Sequence, residues 1–413
     1  MPESDLVSAV NAPAGVAVDW SGRLSRRTQG RTDAGIGGIL ALANARDIIN
    51  FSGGFPDPGV FPVGQTREIL DRLLDDDVAV ALQYAPSEGV SSTRNALAIR
   101  LLATQGRRPG DDELMVTSGG IDAITLISRS MLDPGDEVLV EAPTYLGAVA
   151  GFTGFDARVT AVPTGPDGLD VEALAGLLAT STTPPKLLYT IPDYQNPSGS
   201  VLETSRREAL VDLCRRYGVL IVEDVAYREL GFDDSDRPSL WSIAPDITVQ
   251  IGTFSKVFFP GIRLGWAAGP APVIAELVVA KQNSDQCAGA LGQRLVEEYL
   301  RGGHLDRALP RARELYRSRG LEMDAALTRH FGGVGEWTTP RGGFFCWLRV
   351  PGADTTALAP AALAAAVAYV PGEGFFTEPG NVEYLRLSFS RVEQHEIDPG
   401  IARLADIVRA THG

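Results

Sequence analysis

Apolar runs and amphipathic segments alternate along the middle of the chain, between residues 90 and 270. The most apolar run, at residues 219–222, follows a segment with helical spacing at residues 205–216 and leads directly into two carboxylates. Continuous apolar runs are typical of strands buried on both faces, and alternating helices cover such a sheet. The pattern therefore predicts an α/β fold with a large, mainly parallel sheet covered by helices on both faces. Its other predicted strands are residues 137–141, 186–191, 247–252 and 264–268, and its other helices are residues 93–104 and 119–132.

The pattern changes after residue 270, where residues 271–319 have helical spacing without an intervening strand. Predicted strands at 342–350 and 384–389 and predicted helices at 357–368 and 399–409 follow. With 413 residues in the chain, these elements indicate a second, smaller α+β domain. The predicted division is an N-terminal arm with part of the small domain at residues 1–59, a large domain at residues 60–290 and a small C-terminal domain at residues 291–413.

The composition argues against several classes of function. The formal net charge is -15, and an acidic surface is unfavourable for binding nucleic acid or an anionic membrane. No apolar run reaches the length of a membrane span, and the first residues lack the layout of a signal peptide, so we expect a cytoplasmic protein. The 3 cysteines and 4 histidines are scattered, which predicts neither a disulfide framework nor a metal site.

Lysine is scarce in this chain, since Lys186, Lys256 and Lys281 are its only examples. Lys256 follows a predicted strand and lies in the segment Gly252-Thr-Phe-Ser-Lys-Val-Phe-Phe-Pro-Gly-Ile-Arg-Leu-Gly. Aromatic neighbours that exclude water lower the pKa of a lysine, and the neutral amine can then attack a carbonyl group. Lys256 is therefore the candidate nucleophile, and a chance lysine in a surface loop is the alternative.

Two segments have the composition of a phosphate site. Near Lys256, two hydroxyls and a cation lie within a few residues, which suits a phosphate group. The segment Thr117-Ser-Gly-Gly-Ile-Asp opens a predicted helix, where free N–H groups and the helix dipole favour an anion. An ordinary tight turn is the alternative for this second segment. The residues that would contact the phosphate are Thr253, Ser255, Arg263, Gly119, Gly120 and Ile121.

Two predicted strands end in polar residues that suit a ligand. Asp224 follows the most apolar strand, and a carboxylate there is costly unless a cation such as a protonated pyridine nitrogen meets it. The alternative is that Asp224 caps a helix or pairs with an arginine. Asn196 lies in Pro192-Asp-Tyr-Gln-Asn-Pro-Ser-Gly, where it presents an amide from a rigid loop or belongs to a plain connection.

Taken in order, these segments resemble the fold-type-I pyridoxal-phosphate enzymes, and more narrowly the class I/II aminotransferases of the 2-aminoadipate branch. Three further segments match: Ser52-Gly-Gly-Phe-Pro-Asp-Pro, Gln83-Tyr-Ala-Pro-Ser-Glu-Gly and Leu385-Arg-Leu-Ser-Phe. The resemblance covers residues 31–409. It implies an enzyme that moves the amino group of an L-amino acid to a 2-oxo acid, usually 2-oxoglutarate, by a ping-pong mechanism with pyridoxal 5'-phosphate as cofactor.

The resemblance also implies roles for the matching residues. Lys256 would carry the cofactor and move the proton at the substrate's α-carbon, Asp224 would pair with the pyridine nitrogen, and Arg386 would bind the α-carboxylate. Tyr84 would reach the phosphate of a neighbouring subunit, which implies a homodimer with shared active sites. The other implied contacts are ring stacking by Tyr145, hydrogen bonds to the ring's phenolic oxygen from Asn196 and Tyr227, phosphate binding by Gly119, Gly120, Ile121, Thr253, Ser255 and Arg263, and substrate contacts from Gly54, Asn196 and Arg31.

The chain departs from its relatives in two places. Gly120-Ile-Asp122 stands where many relatives have Ser-Gln-Gln, so one hydroxyl is missing and Asp122 has to point away from the phosphate. Arg31 would meet a distal substrate carboxylate, but neighbouring arginines fit as well and a solvated basic arm is the alternative. Two other functions stay open: oxidation, decarboxylation or β-elimination on the same cofactor, and an aminotransferase-like domain of a regulator, for which no DNA-binding pattern precedes Ser52.

Overall fold

A computed structural model of the chain describes residues 20–25, 47–233 and 237–412. Its strands are β1 (Ile49–Asn50), β2 (Leu114–Thr117), β3 (Glu137–Ala142), β4 (Arg158–Gly165), β5 (Gly168–Leu169), β6 (Leu187–Thr190), β7 (Leu220–Asp224), β8 (Thr248–Thr253), β9 (Gly265–Ala268), β10 (Glu336–Trp337), β11 (Phe345–Arg349), β12 (Val367–Ala368), β13 (Val370–Pro371) and β14 (Tyr384–Ser388). Its α-helices are α1 (Val63–Asp76), α2 (Val78–Ala81), α3 (Ser91–Gln105), α4 (Gly120–Met131), α5 (Leu146–Thr153), α6 (Val171–Thr180), α7 (Thr204–Tyr217), α8 (Leu240–Ile243), α9 (Ala271–Gln282), α10 (Ala290–Arg301), α11 (His304–Phe331), α12 (Thr355–Ala364) and α13 (Gln394–His412).

The larger sheet has eight strands in the order β2-β9-β8-β7-β6-β3-β4-β5. Its five central strands, from β8 to β4, run parallel to one another. β9 is antiparallel to both β8 and β2, and β5 is antiparallel to β4. The predicted α/β fold with a mainly parallel sheet is therefore confirmed.

Helices cover both faces of this sheet, as the apolar runs predicted. Neighbouring residues of one strand face opposite layers: Val222 packs with residues of α4, α5 and α9, whereas Ile221 packs with residues of α6, α7 and α8. Leu187 and Leu188 divide in the same way. Because both faces are covered, Leu187 and Leu188 on β6, and Ile221 and Val222 on β7, follow one another without an intervening polar residue.

The remaining strands of the described residues form two smaller sheets. A four-stranded antiparallel sheet has the order β10-β11-β14-β13, and β1 pairs in parallel with β12. The first described strand thus shares a sheet with one near the C-terminus. The domain boundaries at residues 59 and 290 stay a prediction.

Two helix predictions in the second half of the chain were wrong in extent. The segment 271–319 is not one helix but belongs to α9, α10 and α11, and the last break falls at Gly302 and Gly303, where Gly303 has φ +63°. The alanine-rich segment 357–368 leaves the helix at Ala364, Ala366 has φ +58°, and Val367 pairs with Ile49. Alanine favours a helix, but tertiary strand pairing overrides such local preferences.

Candidate active site

One cavity of about 300 Å³ lies where β7 and β8 end and α4 begins. β6, β7 and β8 are parallel neighbours, so their carboxyl ends meet at one edge of the sheet, where open α/β sheets bind ligands. The cavity therefore collects residues that are far apart in the sequence. The predicted site residues that line it are Gly54, Gly120, Ile121, Tyr145, Asn196, Asp224, Tyr227, Thr253, Ser255, Lys256, Arg263 and Arg386.

Lys256 projects from the turn after β8 into this cavity. Its Nζ donates a hydrogen bond of 2.7 Å to the carbonyl oxygen of Gly54 and lies 5.9 Å from the ring centre of Tyr227. Burial lowers the pKa of Lys256 to about 8, the positive charge of Arg386 acts in the same direction, and Asp224 opposes it. A larger fraction of Lys256 is therefore neutral near neutral pH than of a solvated lysine.

Asp224 is the last residue of β7 and is almost fully buried. Its Oδ2 accepts a hydrogen bond from the hydroxyl of Tyr189 at 2.8 Å, and its Oδ1 accepts one from the N–H of Ala226 at 3.0 Å. Burial raises the pKa of Asp224, whereas these two donors favour the ionised form. The carboxylate faces a cavity that has room for a cationic group.

Tyr189 was not predicted to belong to the site. It occupies the third position of β6, is fully buried, and pairs in register with Val222 on β7. A tyrosine in an apolar strand is usually core, so its hydroxyl carries no signal in the sequence. Only the sheet register places that hydroxyl beside Asp224.

Arg386 is a buried guanidinium on β14 that faces the same cavity. Its Nη1 donates to Oδ1 of Asn196 at 2.9 Å and its Nη2 donates to the carbonyl oxygen of Ser52 at 2.8 Å, but its Nε has no partner in the described part of the chain. Its Cζ lies 4.3 Å from the ring centre of Phe345 and 5.0 Å from that of Phe375. Burial lowers the pKa of Arg386 to about 10, and no carboxylate among the described residues pairs with it.

The start of α4 forms a turn of small residues at the wall of the cavity. Gly119, with φ +99°, precedes Gly120, the first residue of the helix. A Cβ on Gly119 would lie 2.8 Å from Nη2 of Arg263, so a larger residue would displace that guanidinium. The first N–H groups of a helix have no carbonyl partner within the helix and attract anions. Gly120 and Ile121, which line the cavity, supply such groups.

Two hydroxyls and a cation complete this end of the cavity. Oγ1 of Thr253 donates to Oγ of Ser255 at 2.9 Å and accepts from the N–H of Ser255 at 3.1 Å. Arg263 is exposed, has φ +53°, and its Nη2 donates to the carbonyl oxygen of Ser118 at 3.4 Å. Hydroxyls, N–H groups and a guanidinium are the donors that suit a phosphate group. The residues present thus fit a ligand with a phosphate and a carbonyl that reacts with Lys256.

Tyr145 and Tyr227 contribute neutral phenol groups to the cavity. Burial raises the pKa of Tyr145 to about 12 and raises that of Tyr227 well above its ordinary value. Tyr227 packs edge-on against Phe344 and Phe345, with ring centres 5.5 and 5.7 Å apart. Both phenols can therefore donate or stack at neutral pH without adding charge.

A buried carboxylate holds the loop that carries Asn196. Glu141, on β3, accepts hydrogen bonds from Oγ1 of Thr190 at 2.6 Å, Nε2 of Gln195 at 2.9 Å and N of Ile191 at 3.2 Å. Glu141 therefore anchors the residue next to Asn196 to the sheet. Glu141 was not predicted to belong to the site, because a polar residue at the end of a predicted strand gives no indication of its contacts.

Glu141 gives a pH-dependent prediction. Burial raises its pKa from 4.5 to about 7. Between these pH values the folded protein keeps a proton that the unfolded chain has lost, so the free energy of unfolding falls as pH rises, by about 3 kcal/mol at most. We expect Glu141→Gln to lose this slope. Urea unfolding of both proteins at pH 5, 6, 7 and 8 measures it, and parallel curves for the two proteins would contradict the prediction.

Two of the predicted residues do not line the cavity, and one lies outside the described residues. Tyr84 is 76% exposed and does not line the cavity within this chain. Gly119 lies in the turn beside Arg263 and not in the lining. Arg31 lies outside the described residues. No cluster of His, Cys, Asp or Glu that could hold a metal occurs in the described ranges, and no helix there is long and apolar enough to span a membrane.

The family model for aminotransferases of class I and II matches residues 46–404. The chain belongs to this family. As a class I and II aminotransferase, it uses pyridoxal phosphate and transfers amino groups between amino acids and 2-oxo acids. The predicted family, reaction and cofactor are thereby confirmed.

Individual relatives of this aminotransferase match over nearly their whole length. It is 34% identical to an aromatic-amino-acid aminotransferase from Thermococcus litoralis over 98% of both chains. It is 36% identical to a 2-aminoadipate transaminase from Thermus thermophilus, over 94% of this chain and 96% of that protein. The solved α-aminoadipate aminotransferase of Thermus thermophilus, complexed with N-(5'-phosphopyridoxyl)-L-leucine, superposes with a TM-score of 0.88 at 34% identity, over 95% of this chain and 99% of that one.

Proposed function

We propose that this aminotransferase moves the amino group of an L-amino acid to 2-oxoglutarate in a ping-pong cycle, and that Arg386 binds the α-carboxylate that both substrates share. The observation that carries the proposal is a buried guanidinium that has an unpartnered Nε and no paired carboxylate among the described residues. A buried cation is unfavourable until an anion meets it. A substrate carboxylate supplies that charge with the bidentate geometry that suits arginine.

Lys256 is the proposed carrier of the cofactor and the group that moves the proton at the substrate's α-carbon. A pKa of about 8 leaves a useful neutral fraction of the amine near neutral pH. Asp224 and Arg386 line the same cavity as Lys256, and their opposite charges act on the pKa of the amine in opposite directions. This position suits a base that must accept and return one proton in each half of the cycle.

The other site residues would hold the cofactor. We assign the pyridine nitrogen to Asp224, because Tyr189 and Ala226 fix that carboxylate and leave it in need of a cation. When bound, the cofactor supplies an electron sink for the negative charge that develops at the α-carbon. The further assignments are ring stacking to Tyr145, the phenolic oxygen to Asn196 and Tyr227, the phosphate to Gly119, Gly120, Ile121, Thr253, Ser255 and Arg263, and a substrate contact to Gly54.

The function is tested by following the amino nitrogen. Purified holoenzyme is incubated with ¹⁵N-labelled L-amino acids, starting with the 2-aminoadipate and aromatic amino acids for which the relatives are named, and with one 2-oxo acid at a time. We expect label in glutamate when 2-oxoglutarate is the acceptor, and parallel lines in double-reciprocal plots. Transfer to other 2-oxo acids but not to 2-oxoglutarate would overturn the proposed acceptor. Release of label as ammonia would indicate an elimination or oxidation.

We propose that the enzyme is a homodimer in which Tyr84 reaches the phosphate site of the other subunit. Tyr84 is exposed and lies close in the sequence to the exposed apolar residues Val78, Val80 and Leu82, which supports the proposal. Apolar patches of this kind mark interaction surfaces.

The dimer proposal predicts both a mass and a binding defect. Sedimentation should give twice the chain mass of 43.9 kDa. Tyr84→Phe should weaken the affinity for pyridoxal phosphate by about tenfold or more, the value of one hydrogen bond to a charged group. Tyr217→Phe, which changes a tyrosine away from the cavity, is the matched control. A monomer, or unchanged affinity in Tyr84→Phe, would refute the proposed contact.

The cytoplasmic location, the distal-carboxylate role of Arg31 and the domain boundaries at residues 59 and 290 belong to the same proposal. Cell fractionation tests the location, and limited proteolysis tests the boundaries. Comparing dicarboxylic with monocarboxylic donors in an Arg31→Ala variant tests the role of the arm.

A further inference from the structure

Lys281 lies at the centre of a polar cluster that the catalytic proposal does not use. Its side chain, near the end of α9, is fully buried. Its Nζ donates to Oδ2 of Asp122 at 2.9 Å, to both carboxylate oxygens of Asp285 at 2.7 and 2.8 Å, and to Oγ of Ser118 at 3.2 Å. Lys281 is thus a buried lysine that is paired with carboxylates from two segments of the chain.

This cluster adjoins the turn assigned to the cofactor's phosphate. Asp122 is the third residue of α4, and its Oδ2 also accepts the N–H of Ser118 at 2.7 Å. The hydrogen bonds of Asp122 and Lys281 thus fix Ser118, the residue that directly precedes Gly119 and Gly120. The carbonyl oxygen of Ser118 accepts a hydrogen bond from Arg263, so Ser118 is held through its N–H, hydroxyl and carbonyl groups.

The charges explain why a lysine is needed at this position. Asp122 places a carboxylate in the first turn of the helix whose N-terminus faces the phosphate. A negative charge in this turn opposes the binding of a phosphate anion by Coulomb repulsion. Lys281 is a buried cation in contact with Asp122 and offsets that charge. Asp285, the other partner, is 37% exposed and therefore better screened by water.

We propose that Lys281 is a positioning residue for the cofactor's phosphate: it fixes the Ser118–Asp122 turn and neutralises Asp122. The inference rests on the proposed assignment of the phosphate to this turn. It makes Lys281 and Asp122 a coupled pair, so that changing one alters the effect of changing the other.

The test is a double-mutant cycle read by cofactor affinity and not by turnover. Wild type, Lys281→Met, Asp122→Asn and the double variant are resolved of cofactor. Each is then titrated by absorbance with pyridoxal phosphate and, separately, with pyridoxal, which has no phosphate. Lys186→Met is the matched control, because Lys186 is also ion-paired but lies on the surface at Asp136. Thermal unfolding of every variant shows whether it is folded.

We expect Lys281→Met to raise the dissociation constant for pyridoxal phosphate about tenfold and that for pyridoxal less than about twofold. Asp122→Asn should tighten pyridoxal phosphate binding about threefold, and the double variant should return to within about threefold of wild type. Lys186→Met should change neither constant.

Three results would overturn the inference. Equal losses for pyridoxal phosphate and pyridoxal would make Lys281 a structural residue only, and a double variant as weak as Lys281→Met would remove the charge argument. If Lys281→Met does not fold, Asp122→Asn decides alone, since unchanged or weaker phosphate binding contradicts the proposal. A wild type that binds pyridoxal as tightly as pyridoxal phosphate would instead refute the phosphate site itself, so the two failures are distinguishable.

Discussion

Replacing Lys256 with alanine is expected to lower kcat for amino transfer by about 10⁴-fold, the upper end of the range for a positioned proton-transfer group. The loss is large because one amine serves two purposes in the proposed mechanism, as the nucleophile that holds the cofactor and as the base that moves the α-proton. No other lysine can substitute, since Lys186 lies at the surface and the Nζ of Lys281 is engaged with Asp122 and Asp285. Single-turnover rates with a labelled amino acid measure the effect.

The control for this prediction is Lys186→Ala, which removes a lysine side chain that pairs with Asp136 outside the cavity. It should retain activity within about twofold of wild type, in the range of surface substitutions. After treatment of the holoenzyme with a chemical reductant, mass spectrometry should find the cofactor attached to the wild-type chain. It should not find the cofactor attached to the chain of Lys256→Ala. Residual activity of a tenth or more in Lys256→Ala would refute the proposed role.

Replacing Arg386 with leucine is expected to lower kcat/KM by about 10²–10⁴-fold for both the amino acid and the 2-oxo acid. The estimate takes two charge-assisted hydrogen bonds to the carboxylate at about 1.5–3 kcal/mol each. The loss should affect both half-reactions equally, because both substrates present the same α-carboxylate to the same guanidinium. The initial rates of each half-reaction, measured separately with the holoenzyme, test this symmetry.

A second readout separates a binding role from a packing role. The positive charge of Arg386 helps to lower the pKa of Lys256, so removing it should shift that pKa upward. Arg349→Leu is the matched control, because Arg349 lies on a strand of the same sheet but is paired with Glu383 and Glu336 at the surface. Arg386→Lys should recover only part of the loss, since an ammonium cannot form the bidentate pair. Loss in only one half-reaction would contradict the proposed α-carboxylate site.

The sequence by itself determined the α/β fold and the positions in the chain where chemistry would lie. Strands covered on both faces read as near-continuous apolar runs, so residues 219–222 could be recognised without a structure. The scarcity of lysine and the aromatic residues around Lys256 singled out the candidate nucleophile, which the structure places in the cavity. The proposed phosphate donors were recognisable for a similar reason, because helix starts and the ends of parallel strands are local features that the sequence marks with glycine, serine and threonine.

Tertiary structure alone decided which groups meet across the chain. Tyr189 reaches Asp224 through strand register, Glu141 reaches Gln195 across a loop, and Lys281 reaches Asp122 between two helices. None of these pairs has a spacing that a periodicity could reveal, since their contacts arise only after the sheet and its helices have packed. The end of α12 was also set by tertiary contacts, because pairing between Ile49 and Val367 outweighed the helix preference of an alanine-rich segment. Local sequence records what a segment prefers by itself, whereas buried polar contacts depend on partners that the fold brings from a distance.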